Sequence, residues 1–155
     1  MAFPYKAILC PIDFDENSLA ALDKAVEIAR YFGSNLILIH VLPMVLSLGE
    51  IPPVEAMYED QEKAARAKLS DIAKQKLVGV KHELLVYTGD VSASILNAQS
   101  KHQSDLVVIA THGRRGLARM FLGSVAEVVV RKATCPVLTI REETPGAHSG
   151  GTKSS

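Results

Sequence analysis

Short, solid apolar runs alternate along this chain with longer segments in which apolar residues recur every three or four positions. Ala7 to Ile12 is the first run, closing on Asp13. Its continuous apolar character, without alternation, predicts a strand buried on both faces. Asp15 then caps a helix whose apolar stripe is Leu19, Leu22, Val26 and Ala29, and Gly33 stops it. Leu36-Ile37-Leu38-Ile39-His40-Val41 is a second buried strand. Pro43 to Val54, with Pro52-Pro53, is a long loop too apolar to be a solvated linker, and a second helix follows from Glu55 to Lys76 with Ala65, Leu69 and Ile72 on one face. Lys81 to Val86 mixes polar and apolar positions, which suits a strand nearer the sheet edge. Gly89-Asp90 caps a short helix with Val91, Ile95 and Ala98 inward, and Asp105 to Ala110, almost wholly apolar, is a central fourth strand. A last helix begins near Ser124, with Val125, Val128 and Val129, and Pro136 to Ile140 is the last strand. Residues 1–141 thus form one domain, and 142–155, rich in Gly, Ser, Thr and Pro, are expected to be a disordered tail.

The pattern is βαβαβαβαβ, which specifies an α/β fold: a three-layer open parallel sheet of five strands with helices on both faces. Right-handed crossovers leave two common orders, 3-2-1-4-5 and 2-1-3-4-5. The most continuous apolar runs are the first and fourth strands, which favours 3-2-1-4-5. In that order the chain reverses direction between strands one and four, and ligands of open α/β sheets bind outside the carboxyl ends of the strands at such a point.

Composition narrows the function classes. Acidic and basic residues number seventeen each, so global charge gives no argument for nucleic acid or an anionic membrane. No apolar run is long enough to span a bilayer, and the first residues lack the pattern of a signal peptide. Cys10 and Cys135 are far apart in sequence and match no metal-ligand spacing, as expected of reduced, buried thiols in a cytoplasmic protein.

The richest chemistry lies in Ala110-Thr111-His112-Gly113-Arg114-Arg115-Gly116 and, after Leu117 to Leu122, in Gly123-Ser124. A strand, a glycine-bearing loop and a helix N-terminus suit an anion, because glycine lets backbone approach phosphate and unpaired helix N–H groups point at the charge. The chain has neither a Walker GxxxxGK pattern nor a GxGxxG after a strand. Gly113 and Gly116 either cradle phosphates or only supply positive φ angles. Arg114 and Arg115 either neutralise phosphate oxygens or are solvated charges. His112 contacts the anion or is a passive loop residue. Ser124 and Glu127 have the S-x-x-E spacing of a capping box, which is compatible with a phosphate role for the hydroxyl. Asp13, at the end of an apolar strand, either joins the cap of the first helix or accepts hydrogen bonds from a ribose or base.

Taken together these residues resemble the universal stress protein family, from about Lys6 to Arg141. The resemblance rests on Pro11-Ile12-Asp13, His40-Val41, Asp105-Leu106-Val107-Val108, Cys135-Pro136-Val137-Leu138 and above all the loop. The nucleotide-binding branch carries G-x2-G-x9-G followed by Ser or Thr. Gly113, the residues Arg114 to Leu122, and Gly123-Ser124 fit its later positions, while Ala110 stands at the first glycine. The resemblance implies an adenine nucleotide alpha hydrolase-like fold and an ATP site, or one for AMP or ADP, with Mg2+ accompanying ATP. Asp13 would bind ribose or adenine, the Val41 backbone would meet the adenine, and Gly113, Gly123 and Ser124 would hold the phosphates. Pro11, Ala110, His112, Arg114, Gly116 and Val125 would complete the lining. It also implies a homodimer through Pro136–Ile140.

Three function classes follow. The first is a cytoplasmic, dimeric, ATP-binding stress regulator or sensor with little intrinsic hydrolysis, since no residue near the loop is an evident base for water. The second is a slow ATPase or autophosphorylating protein. The third is an interaction dimer whose nucleotide site has decayed at Ala110.

Overall fold

A computed structural model describes residues 4–44, 54–112 and 122–141. The five strands are β1 (Ala7–Pro11), β2 (Asn35–Pro43), β3 (His82–Gly89), β4 (Leu106–Ala110) and β5 (Val137–Ile140), and the four helices are α1 (Glu16–Phe32), α2 (Val54–Lys76), α3 (Val91–Lys101) and α4 (Ser124–Lys132). The sheet has the predicted order, β3-β2-β1-β4-β5, and every pairing in it is parallel. Gly113, Arg114 and Gly116, and the expected tail 142–155, lie outside the described residues.

Alternation along the strands separates two cores. Ile8, Cys10, Leu36, Leu38, Leu106 and Val108 face α1 and α2, where Ala21, Leu22, Ala25, Leu69 and Ala73 meet them. Leu9, Ile37, Ile39, Val41, Val107 and Ile109 face α3 and α4 and pack on Ile95, Ala98, Ala126 and Val129. Right-handed crossovers run one way from β1 to β3 and the other way from β4 to β5, so the helices fall on opposite faces. Because β1 and β4 are covered on both sides, they read as continuous apolar runs.

Several strand ends and one helix cap differ from the sequence reading. β3 continues past Val86 to Gly89, because β2 also runs on and pairs with it as far as Pro43↔Gly89. β4 starts after Asp105, whose carboxylate turns back to accept the backbone N–H groups of Lys6, at 2.9 and 3.1 Å, and Ala7, at 3.1 Å. The capping box of Ser124 and Glu127 does not form: Gly123 is the N-cap, no side chain among the described residues caps α4, and Glu127 pairs with Arg131 instead. Ser124 already has helical geometry one residue inside the cap, so its hydroxyl does not take the N-cap position. Among the described residues, no helix is long and apolar enough to cross a membrane.

α1 is bounded as expected. Its N-cap is Asp15, whose Oδ1 accepts the Ser18 N–H at 2.8 Å, and Gly33, with φ 68°, closes it by returning its N–H to the Ala29 carbonyl. Asp15 Oδ2 is buried without a hydrogen-bond partner. Burial, and then the neighbouring Asp13 carboxyl, push the Asp15 carboxyl above the usual carboxylate range. An acid raised in the folded state stabilises the fold below its unfolded pKa, and that contribution is lost as pH rises through the raised value. Asp15→Asn keeps the capping oxygen but cannot ionise. Its melting temperature relative to wild type is therefore expected to rise between about pH 3 and about pH 7. Thermal denaturation across that range checks this; a relative melting temperature that falls with pH contradicts it.

Candidate functional site

β1 and β4 share only the register pairs Ile8↔Leu106 and Leu9↔Val107. Beyond them each strand stays with its outer neighbour: the Ile12 N–H donates to the Ile39 carbonyl at 2.9 Å, and the Thr111 N–H to the Ile140 carbonyl at 3.0 Å. The central pair is held together at its amino end by Asp105 and unzipped at its carboxyl end. The loops that leave there, from Ile12 and from Ala110, carry the residues singled out in the sequence.

On the β1 side, Pro11 ends the strand and Asp13 follows, half-buried. The Asp13 N–H donates to Ser18 Oγ at 3.2 Å, and Asp13 Oδ1 accepts the Asp15 N–H at 3.1 Å. Asp13 thus supports the cap without being the cap. Phe14, with φ 67°, sits in the left-handed region, where a bulky residue costs on the order of 1–3 kcal/mol. Val41 is buried on β2. His40, just before it, faces the opposite side of the sheet, where its Nδ1 lies 2.8 Å from the Ile12 carbonyl oxygen.

On the β4 side, Ala110 is the last strand residue and pairs with Ile140, so its methyl meets no demand for positive φ. His112 Nδ1 lies 3.1 Å from the hydroxyl of buried Thr111. The Gly123 N–H donates to the Thr111 carbonyl at 2.6 Å, which draws the start of α4 back to the end of β4. The first turn of α4, with no side-chain cap among the described residues, therefore stands at the carboxyl edge of the sheet. The first N–H groups of a helix lack intrahelical partners, and with the helix dipole they attract an anion.

A cleft of about 590 Å3 opens beside it, between the ends of β2 and β3 and the first turns of α3 and α4. That volume lies in the range of about 300–1,000 Å3 usual for small-molecule sites. Ser124 and Val125 line it, but so do Pro43, Met44, Gly89, Asp90, Val91 and Ser92, which sequence reasoning did not assign to a site. Gly89-Asp90 reads in sequence only as a helix start, and Asp90 does cap α3 through its bond from the Ala93 N–H, 2.8 Å long. The signal available was topological: with order 3-2-1-4-5, the end of β3 lies beside the end of β2. Pro11, Asp13, Val41, Ala110, His112 and Gly123 are not in the cleft wall.

The described residues contain no group of three or more His, Cys, Asp or Glu arranged to hold a metal ion. Both cysteines are free thiols; burial pushes Cys10 up to about 12 and, with help from Asp105, also raises Cys135. Cys10 therefore stays protonated and packs as a small apolar side chain.

Comparison with known proteins gives a consistent picture. The family model described as "Universal stress protein family" matches residues 4–141. Universal stress protein MJ0531 of Methanocaldococcus jannaschii is 32% identical over 145 residues, covering 89% of this chain and 83% of that protein. The solved structure of hypothetical protein MJ0577 superposes with a TM-score of 0.77 at 28% identity, covering 90% of this chain and 98% of that one. A universal stress protein from Archaeoglobus fulgidus, solved in complex with dAMP, shares the fold with a TM-score of 0.60 at 23% identity, covering 87% of this chain and 97% of that one. With a family match across all but the ends of the sequence, on the sheet order described above, this chain belongs to the universal stress protein family.

Proposed function

We propose that the protein binds an adenine nucleotide at the carboxyl end of its sheet and works as a dimeric, cytoplasmic regulator or sensor with little turnover of the nucleotide. The observation that carries this reading is the first turn of α4, which no described side chain caps, drawn to the end of β4 by the Gly123–Thr111 hydrogen bond beside an open cleft. Gly123 and Ser124 offer N–H groups and a hydroxyl to phosphate oxygens, and Gly113, ten positions before Gly123 in the family's spacing, supplies the loop backbone. Asp13 and the Val41 backbone take the nucleoside across the parted strands. The dAMP complex of the Archaeoglobus relative supports an adenine nucleotide as the ligand class. Mg2+, when ATP is bound, is held by phosphate oxygens and water.

The dimer reading rests on β5, which forms one edge of the sheet and carries Leu138 with 39% exposure. A parallel sheet ending in an exposed apolar edge strand is open to pairing with a second copy of itself.

Two outcomes are expected. ATP with magnesium, at a hundredfold excess over its dissociation constant, adds about 2.7 kcal/mol, on the order of 5–10 °C in melting temperature. Differential scanning fluorimetry measures this, and no shift at millimolar ATP contradicts nucleotide binding. Leu138→Lys converts the dimer to monomer in sedimentation velocity without lowering helix content. A wild-type protein that sediments as a monomer contradicts the edge pairing.

A further inference from the structure

Asp13 is flanked by two unusual restraints that both lead to one side chain. We propose that His40, together with Phe14, is the positioning unit that sets the Asp13 carboxylate for the nucleoside; this rests on the nucleotide reading above.

A carbonyl oxygen only accepts, so the 2.8 Å contact between His40 Nδ1 and the Ile12 carbonyl fixes the proton on Nδ1. That bond restrains the residue immediately before Asp13. The residue immediately after it, Phe14, lies with its ring centroid 4.5 Å from that of His40, the planes tilted by 38°. Lys68 Nζ of α2 lies 5.3 Å from the same Phe14 centroid.

Phe14 holds a left-handed backbone, φ 67°, that a bulky residue keeps only when its surroundings require it. Those surroundings include the His40 ring, Lys68 and the apolar core against which Phe14 packs. The chain has just Ile12, Asp13, Phe14 and Asp15 in which to pass from β1 to the first turn of α1. The left-handed step at Phe14 makes that turn, and the ring contact with His40 secures it. His40 is also the residue before Val41 on β2, with its side chain on the opposite face. One side chain thereby ties the Asp13 loop to the strand whose backbone would meet the adenine. His40 acts through its neighbours and is a positioning residue, not a ligand contact.

Removing the unit should weaken the nucleoside end and leave the phosphate end, built on α4, intact. The test uses the full chain and a fluorescent ATP analogue, with unlabelled ATP, adenosine and inorganic tripolyphosphate as competitors. His40→Ala is expected to weaken ATP and adenosine about tenfold, the scale of one lost hydrogen bond, and to leave tripolyphosphate unchanged. His40→Asn, which keeps a short amide donor for the Ile12 carbonyl, is expected to recover a substantial part of that loss, whereas His40→Leu is not. Phe14→Leu, without the ring contact, is expected to show the same nucleoside-selective loss. If His40→Ala fails to fold, the Asn and Leu variants at position 40 and the Phe14 variant decide the matter. Wild-type affinity in the variants, equal losses for adenosine and tripolyphosphate, or no advantage of Asn over Leu overturns the positioning role. Failure of the wild-type protein to bind the analogue or ATP overturns the nucleotide reading itself, and this inference with it.

Discussion

The architecture of this molecule turns on how β1 and β4 are joined. They are pinned at the amino end, where the Asp105 carboxylate gathers the Lys6 and Ala7 N–H groups, and their register stops at Leu9↔Val107. An ionised acceptor at a strand start makes stronger hydrogen bonds than a neutral one. With the pair fixed at one end and each strand held by its outer neighbour at the other, the carboxyl end opens. The opening is a consequence of topology: crossovers to one side from β1 and to the other from β4 send their loops apart.

Among the described residues, backbone hydrogen bonds bring the start of α4 and the end of β1 to that opening. Gly123 is returned to Thr111 at the end of β4, and Ile12 to Ile39 beside β1. The side chains then refine what the backbone has placed. Asp15 is spent on capping α1, and its raised carboxyl reflects burial and the nearness of Asp13. Asp13 is held by Ser18 and by the Asp15 N–H, and lies between the two residues that His40 restrains. An adenine nucleotide would place its phosphates on a helix start and its nucleoside on the strand ends.

The sheet was legible because its strands are buried on both faces. Ile8 to Cys10 and Leu106 to Ile109 have no polar interruption, and that signal correctly placed β1 and β4 in the centre. The caps of α1, Asp15 and Gly33, were legible for local reasons, since each occupies a backbone conformation few residue types favour. The start of α4 at Ser124 was legible but its cap was not: Ser124 and Glu127 have the spacing of a capping box, whereas Gly123 is the N-cap and its N–H returns to Thr111. The cleft wall from Gly89 to Ser92 was legible only through strand order, which sets it beside Pro43 and Ser124, and not from local pattern. The link between His40 and Phe14 joins residues on different elements, and nothing in either local sequence announces it.

The central claim is that this opening selects an adenine nucleotide. Its most direct test is to equilibrate the purified protein with equal concentrations of AMP, ADP, ATP and GTP, desalt it, denature it by heat and identify the released nucleotide by chromatography. The account predicts release of adenine nucleotide with GTP depleted. Release of no nucleotide, or of adenine and guanine nucleotides in the proportions of the mixture, would contradict it.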